Sequence, residues 1–278
     1  MTETANQVEN GRDVKEEARG VFKSSRRLFD QLGPIRLAAT FFFLLLAAFH
    51  GTDRWDTPLI QDAERALYDM RASAFAPEVE KDERIVLIGY NEDTLKLTGQ
   101  RSPVDRTILA QSLETIDAAG AKAIGIDILF DMPQDDDPLL ISAFKGMQTP
   151  TYLAYAEPKL NPEIDFAQHQ YLTRYLAALE GTKVKPTSIH LRTDSDGVQR
   201  RWSELPAELP PFLSIALTGD NPKFAKNTGA MRYYVPTNLD VPVFDKFPIE
   251  SFADPATAEV LASFIKDKYV LIGGDFID

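Results

Sequence analysis

The chain has 278 residues and a formal net charge of −12, from 30 Lys and Arg against 42 Asp and Glu. This acidic balance disfavours nucleic acid and anionic lipid surfaces as partners, because both attract basic patches. Cysteine is absent, which excludes disulfides, thiolate metal ligands and a cysteine nucleophile. Residues 1–31 carry six acids and six bases, so the acidic excess belongs to the rest of the chain.

The first predicted element is an apolar segment at residues 32–52, centred on an uncharged run from Leu37 to Phe49. A helix of about 20 residues crosses a hydrocarbon core of about 30 Å. Basic residues precede the segment and mostly acidic residues follow it. The positive-inside rule therefore predicts residues 1–31 as a polar cytoplasmic tail and the chain from residue 55 onward outside the cell membrane.

Two alternatives to a transmembrane signal anchor remain open for this segment. A cleaved signal peptide is disfavoured, because a charged leader of this length is too long for its first region. A buried core helix is disfavoured, because Phe and Leu from 41 to 46 occupy every face of the helix. We therefore expect an uncleaved anchor.

Residues 55–278 alternate predicted helices and strands. Apolar periodicity and capping residues predict both. A buried strand, a helix and a second buried strand predict a parallel βαβ unit, and an Asp-Gly turn at 194–197 predicts a β-hairpin of 188–192 with 198–202. The fold class is α/β, a mostly parallel sheet with helices on both faces plus this hairpin. The predicted helices are 58–72, 104–119, 137–145, 168–179, 211–217 and 257–265, and the other strands are 84–90, 123–130, 151–156, 231–235 and 268–272.

Asp127 is the most unusual residue of the predicted sheet, because it follows Ile126 and precedes Ile128 in an apolar strand. An isolated buried charge is costly, so this carboxylate must be paired, hydrogen-bonded or protonated. One interpretation is a structural ion pair with Arg106 or Arg71. The other is a ligand site, since open α/β sheets bind ligands at the carboxyl ends of their strands.

An acidic loop follows the same strand, with Asp131 and the run from Asp135 to Asp137. Such oxygen ligands suit Ca²⁺ or Mg²⁺. However, Pro138 directly after Asp137 favours Asp137 as a helix N-cap. We therefore expect capping and solvation rather than a metal site.

The sequence contains no recognisable catalytic apparatus. It has no G-x-S-x-G elbow, phosphate loop, dinucleotide fingerprint or H-E-x-x-H motif, and its three histidines are scattered. We therefore expect neither an enzyme nor a cofactor. Gly273 and Gly274 follow the last predicted strand, at a position where α/β domains build sites. Because the chain stops shortly afterwards, we expect the domain to continue beyond residue 278.

Six blocks of the sequence occur in a recognisable order. They are LYDMR at 67–71, IVLIGY at 85–90, SPVDR at 102–106, GAKAIGIDILF at 120–130, DSDGVQRR at 194–201 and KYVLIG at 268–273. Together they resemble the CHASE type-2 domain, an extracytoplasmic sensor module of bacterial transmembrane receptors. The block at 120–130 is the most specific of the six.

The resemblance implies a sensory input domain in the bacterial inner membrane that controls a cytoplasmic cyclase or kinase outside this chain. We expect a small-molecule or ionic stimulus to bind near Arg106, Asp127, Asp131, Gly273 and Gly274. By analogy with receptors, we expect a homodimer formed through the anchor and helix 58–72. The alternatives are an envelope scaffold module and, less favoured, a metal-dependent periplasmic hydrolase.

Overall fold

The computed structural model describes residues 33–49, 51, 58–99, 102–219 and 229–275. The chain divides into two compact units, one ending at Phe75 and the other starting at Ala76. Among the described residues, no helix is both long enough and apolar enough to span a bilayer. The polar tail at 1–31 lies outside the described residues.

The first unit contains two helices. Helix α1 covers residues 33–49, and its side chains are almost all exposed. Helix α2, Pro58–Ala74, has no buried residue. The prediction of a helix from residue 58 is confirmed, with two residues added at its end.

The second unit is built on a six-stranded sheet whose strands all pair in parallel. The strands are β2 (Ile85–Tyr90), β3 (Ala123–Asp127), β4 (Thr151–Tyr155), β5 (Val184–Ser188), β9 (Asp245–Pro248) and β10 (Tyr269–Gly274). Their order in the sheet is β5-β4-β3-β10-β2-β9, so β10 lies between the two strands of the predicted βαβ unit. The predicted mostly parallel sheet is confirmed.

Helices and short strands complete the unit. The helices are α3 (Glu92–Thr98), α4 (Arg106–Ala118), α5 (Asp137–Gly146), α6 (Phe166–Ala177), α7 (Leu213–Leu217), α8 (Glu250–Ala253) and α9 (Pro255–Ile265). The short strands among the described residues are β1 (Glu78–Val79), β6 (Arg201–Trp202), β7 (Gly229–Ala230) and β8 (Val235–Pro236). They form two small two-stranded pairs, β1 with β8 and β6 with β7.

The two faces of the main sheet are covered unequally. Side chains alternate between faces along a strand, and Ile124 and Ile126 of β3 lie in the main core beside Leu113 of α4. The opposite face carries Gly125, over which the five-residue helix α7 lies. A side chain at Gly125 would meet Leu213 of α7, because an added Cβ lies only 2.9 Å from its Cδ1. Helices thus lie on both faces, but the second face has only a short cover.

The predicted hairpin is wrong in its strands and right in its turn. Gly197 adopts a positive φ of 78°, and the Asp194 amide donates to the Val198 carbonyl at 2.9 Å. However, Ser188 ends the parallel strand β5, and β6 pairs antiparallel with β7. The buried Arg200 guanidinium binds the carboxylates of Asp194 and Asp196 at 2.7–2.9 Å. The segment therefore forms a loop that Arg200 holds together, here called the clamped loop, rather than two paired strands.

Other predicted boundaries also change. The strand predicted at 123–130 ends at Asp127, because Phe130 leaves the sheet to stack on Tyr175 at 5.1 Å between ring centroids. The strand predicted at 231–235 is replaced by the two short strands β7 and β8. Helix 211–217 starts later, at Leu213.

Candidate functional site

The structure divides the predicted site residues into two groups on different sides of the sheet. Arg106 and Asp131 belong to a polar cluster at the helix-covered side. Asp127 lines a pocket on the more open face, with Gly273 beside it in the neighbouring strand. The five residues therefore do not form one site.

Arg106 is buried, with 1% of its surface exposed, and its partner is Asp137 rather than Asp127. One guanidinium nitrogen binds the Asp137 carboxylate, and the other donates to the Met132 carbonyl at 2.8 Å. The guanidinium carbon also lies 5.0 Å from the ring centroid of Phe130, a cation–π distance. Desolvation by burial lowers the pKa of this guanidinium. The predicted ion pair of Arg106 with Asp127 is therefore wrong.

The Asp137 carboxylate binds three groups of the protein. Besides Arg106, its carboxylate accepts hydrogen bonds from the Tyr171 hydroxyl and, at 2.9 Å, from the Gln134 amide. The prediction of Asp137 as an N-cap is wrong, because Asp136 takes that position without a side-chain capping bond. Asp137 instead uses its carboxylate to hold Arg106, which no local spacing rule indicates.

Asp131 is also engaged in structure. Its carboxylate accepts a hydrogen bond of 2.8 Å from the Gln168 side chain, and Gln168 forms the capping box of α6 with Asp165. Arg71, the other partner considered for Asp127, belongs to α2, and its Nε donates to the Leu67 carbonyl at 3.3 Å. Among the described residues, no group of three or more His, Asp or Glu side chains is arranged to hold a metal ion.

Asp127 ends β3 on the same face as Gly125. It is in register with Gly273 of β10, which is in turn in register with Gly89 of β2. The expectation of a buried charge at this position is wrong, because Asp127 is exposed. In the part of the chain that the structure describes, its carboxylate has no hydrogen bond and no ion pair. Desolvation raises the pKa of this carboxyl above its ordinary value. Gly274 follows in the same strand, in register with Tyr90.

The pocket beside Asp127 has a volume of about 530 Å³. Its floor is the open sheet face, including Leu271, and one wall is α7 with Leu213 and Leu217. The other wall is the segment after β5, which contributes His190 and Trp202. Within this wall, a hydrogen bond of 2.6 Å from the Arg192 amide to the Ser203 hydroxyl joins two parts of the segment.

The sequence analysis missed His190, Trp202 and α7 as parts of this pocket. The segment from 189 to 200 contains no regular element, so periodicity gives no signal for its position. The available signal was Gly125, because a glycine inside an apolar strand indicates a close approach of another element. Here that element is α7.

A family model described as the CHASE2 domain matches residues 39–275. The chain belongs to the CHASE2 domain family. This confirms the resemblance inferred from the six sequence blocks. CHASE2 is an extracellular sensory domain family, a sensor rather than a catalytic module. Comparisons with curated proteins and with solved structures gave no match.

The residues that match the CHASE2 model include all three parts of the pocket: the sheet floor, α7 and the segment after β5. Pockets of 300–1,000 Å³ that are mostly apolar with a few polar groups are typical binding sites for small ligands. The arrangement can bind a ligand.

Proposed function

We propose that this chain is the signal-input part of a membrane-anchored receptor, with its second unit outside the cell membrane. The observation that carries this proposal is a CHASE2 match that begins inside the apolar helix α1. The sensory character of the family supports the input role, and the helix supports the anchor.

Helix α1 has the surface that a bilayer segment requires. The side chains from Phe41 to Leu45 are between 56% and 64% exposed. A soluble protein rarely leaves such a continuous apolar surface in water, because burial of each large apolar side chain stabilises by about 1.5–3 kcal/mol. The apolar segment predicted as the anchor, 32–52, has about the number of residues that a helix needs to cross a hydrocarbon core. Arg36 near its start can reach the interface.

In this proposal residues 1–31 lie in the cytoplasm and the CHASE2 unit lies in the periplasm or extracellular space. The receptor controls a cytoplasmic cyclase or kinase, and a bound stimulus acts through its different affinities for two receptor states. The receptor is a homodimer that pairs through α1 and α2. The stripe Leu59, Ala63, Ala66 and Met70 follows the alternating spacing of four and three residues that helix pairs use.

The absence of native cysteine allows a clean test of this topology. Lys159→Cys places one thiol at an exposed position of the second unit, and Asn6→Cys places one in the tail. Intact cells expressing each variant are treated with a membrane-impermeant maleimide. We expect labelling at position 159 in intact cells and at position 6 only after lysis. The reverse pattern, or no labelling at 159 before lysis, would overturn the proposal.

A further inference from the structure

The pocket on the open sheet face carries an inference about the ligand, which rests on the sensory role proposed above. We propose that it binds a small molecule with an apolar body and a single cationic group, with the cation placed against Asp127. The classes that fit are primary ammonium and amidinium compounds with an aromatic or aliphatic body.

The lining determines the apolar body. Leu213 and Leu217 of α7 lie across the pocket from the sheet, and Leu271 lies on its floor. Trp202 adds a flat aromatic surface on the opposite wall. A ligand that displaces water from these walls removes apolar surface of both the ligand and the pocket from water, and this burial favours binding. The volume of about 530 Å³ accommodates a body of one or two rings.

The charge follows from the polar groups that line the pocket. Asp127 is a carboxylate without a hydrogen bond or ion pair among the described residues, and in the register next to it Gly273 provides no side chain that would cover it. The nearest contact of a Cβ added at Gly273 lies 3.9 Å away, so there is room beside the carboxylate. A cationic group bound there makes a charge-assisted hydrogen bond, which is stronger than a neutral one.

An anionic ligand finds no comparable partner. Arg84, the guanidinium that lines the pocket, is paired along one edge with Asp82, with Nε at 2.9 Å and one terminal nitrogen at 2.6 Å from its carboxylate. A ligand carboxylate or phosphate would have to compete with this bidentate pair and would also meet the Asp127 charge. The pocket therefore selects against anions.

His190 supplies a second polar contact. Its Nδ1 is buried and has no hydrogen-bond partner in the structure, and its ring lines the pocket. A buried ring nitrogen without a partner is costly, and because less than 1 Å² of its surface is accessible, a ligand hydroxyl or amide bonds to it only after the ring turns toward the pocket. The ligand class is therefore an amphiphilic cation with room for one further polar group.

The test is isothermal titration calorimetry of the full chain in lipid nanodiscs, with empty nanodiscs as the blank. The probes are 4-phenylbutylammonium, the neutral 4-phenylbutan-1-ol and the anionic 4-phenylbutanoate. The variants are Asp127→Asn and, as the matched control, Asp135→Asn, which removes the same charge from an exposed position outside the pocket.

We expect the ammonium probe to bind the native chain at least about tenfold more tightly than the alcohol, and the anion to be weakest, as for a charge-assisted contact of about 1.5–3 kcal/mol. Asp127→Asn is expected to abolish the preference for the ammonium over the alcohol, and Asp135→Asn to retain it. Equal affinity for the three probes, no binding of any of them, or an unchanged preference in Asp127→Asn would overturn the inference. Because these titrations do not depend on topology, they fail independently of the maleimide labelling.

Discussion

Arg106 and Asp137 form a buried ion pair that joins the first residues of α4 and α5. The carboxylate lies in the first turn of α5, where the helix dipole favours a negative charge. The aromatic rings of Phe130 and Tyr175 lie over the guanidinium, at 5.0 Å and 5.5 Å from its carbon to their centroids. The pair fixes two helices on the covered face of the sheet.

Removal of the carboxylate is expected to destabilise the domain strongly. Asp137→Ala leaves the Arg106 charge buried without its partner, which typically costs about 3–5 kcal/mol. Urea unfolding of the chain in detergent micelles, followed by circular dichroism, measures this free energy. The exposed neighbour Asp136 provides the control, since Asp136→Ala removes only a hydrogen bond of 3.0 Å from Thr107. Equal losses of unfolding free energy in the two variants would show that the buried ion pair contributes no more to stability than the hydrogen bond of Asp136.

Gly125→Ala is expected to destabilise the domain modestly. The new Cβ lies 2.9 Å from Leu213 Cδ1 and 3.0 Å from Leu271 Cδ2, closer than packed atoms allow. Because both contacts are the ends of flexible leucine side chains that can turn away, we expect a loss near the lower end of the about 1–3 kcal/mol that overpacking costs. Gly273→Ala is the matched control, because its Cβ meets only contacts at 3.9 Å. Thermal unfolding of both variants checks the difference, and a double variant with Leu213→Ala should recover part of the loss.

The central strands were predictable because parallel strands buried on both faces give continuous apolar runs, as in Ile85–Tyr90. The edge strand β5 was missed because its sequence, VKPTS, is polar and contains a proline. The strand β9 was missed for a similar reason, since DKFP has neither a β-branched run nor alternation. Edge strands of this kind depend on pairing with a neighbour rather than on local preference.

The candidate site was predictable only at Asp127, where a charge in an apolar strand is visible in the sequence. Its predicted pairing with Arg106 was wrong, because strand alternation puts Asp127 on the face of Gly125, whereas Arg106 packs against the aromatic rings of the helix-covered side. His190 joins the pocket through a segment with no regular structure, and Trp202 through the two-residue strand β6 that follows it. Tertiary contacts alone determine their position.

The Asp127 carboxyl is expected to make the stability of the domain depend on pH. Asp127 is exposed, but partial desolvation raises the folded-state pKa of its carboxyl above the unfolded value. Ionisation therefore disfavours the folded state above that pKa, whereas the protonated acid carries no such cost below the unfolded value. Because solvent screens an exposed carboxylate, Asp127→Asn should raise the unfolding temperature at neutral pH only slightly. The gain should diminish as the pH falls through the range of this carboxyl. A gain that is constant between pH 3 and pH 8 would contradict this assignment.

Asp196 should behave in the opposite way. Its hydrogen bonds with Arg200 lower the pKa of its carboxyl to about 2. The contribution of this carboxylate to the clamped loop is therefore fully present above its unfolded pKa of about 3.9 and is lost as the pH falls through about 2. An NMR titration of the Asp196 side-chain carboxyl gives the pKa directly. In Arg200→Gln the midpoint should return toward about 3.9, whereas an unchanged midpoint would exclude Arg200 as the cause.

The most direct test of the central claim is whether a ligand in the CHASE2 pocket changes helix α2, which the proposed topology puts next to the membrane. Ala66→Cys places a thiol on the proposed pairing stripe, and Glu64→Cys places one on an exposed position off the stripe. The disulfide equilibrium of each variant is measured in a glutathione buffer, in nanodiscs, with and without 4-phenylbutylammonium. The account predicts that the probe shifts the equilibrium at position 66 by about fivefold or more, the lower end of usual allosteric coupling, and that Asp127→Asn removes the shift. Binding of the probe with no shift at position 66 would contradict a signal-input role.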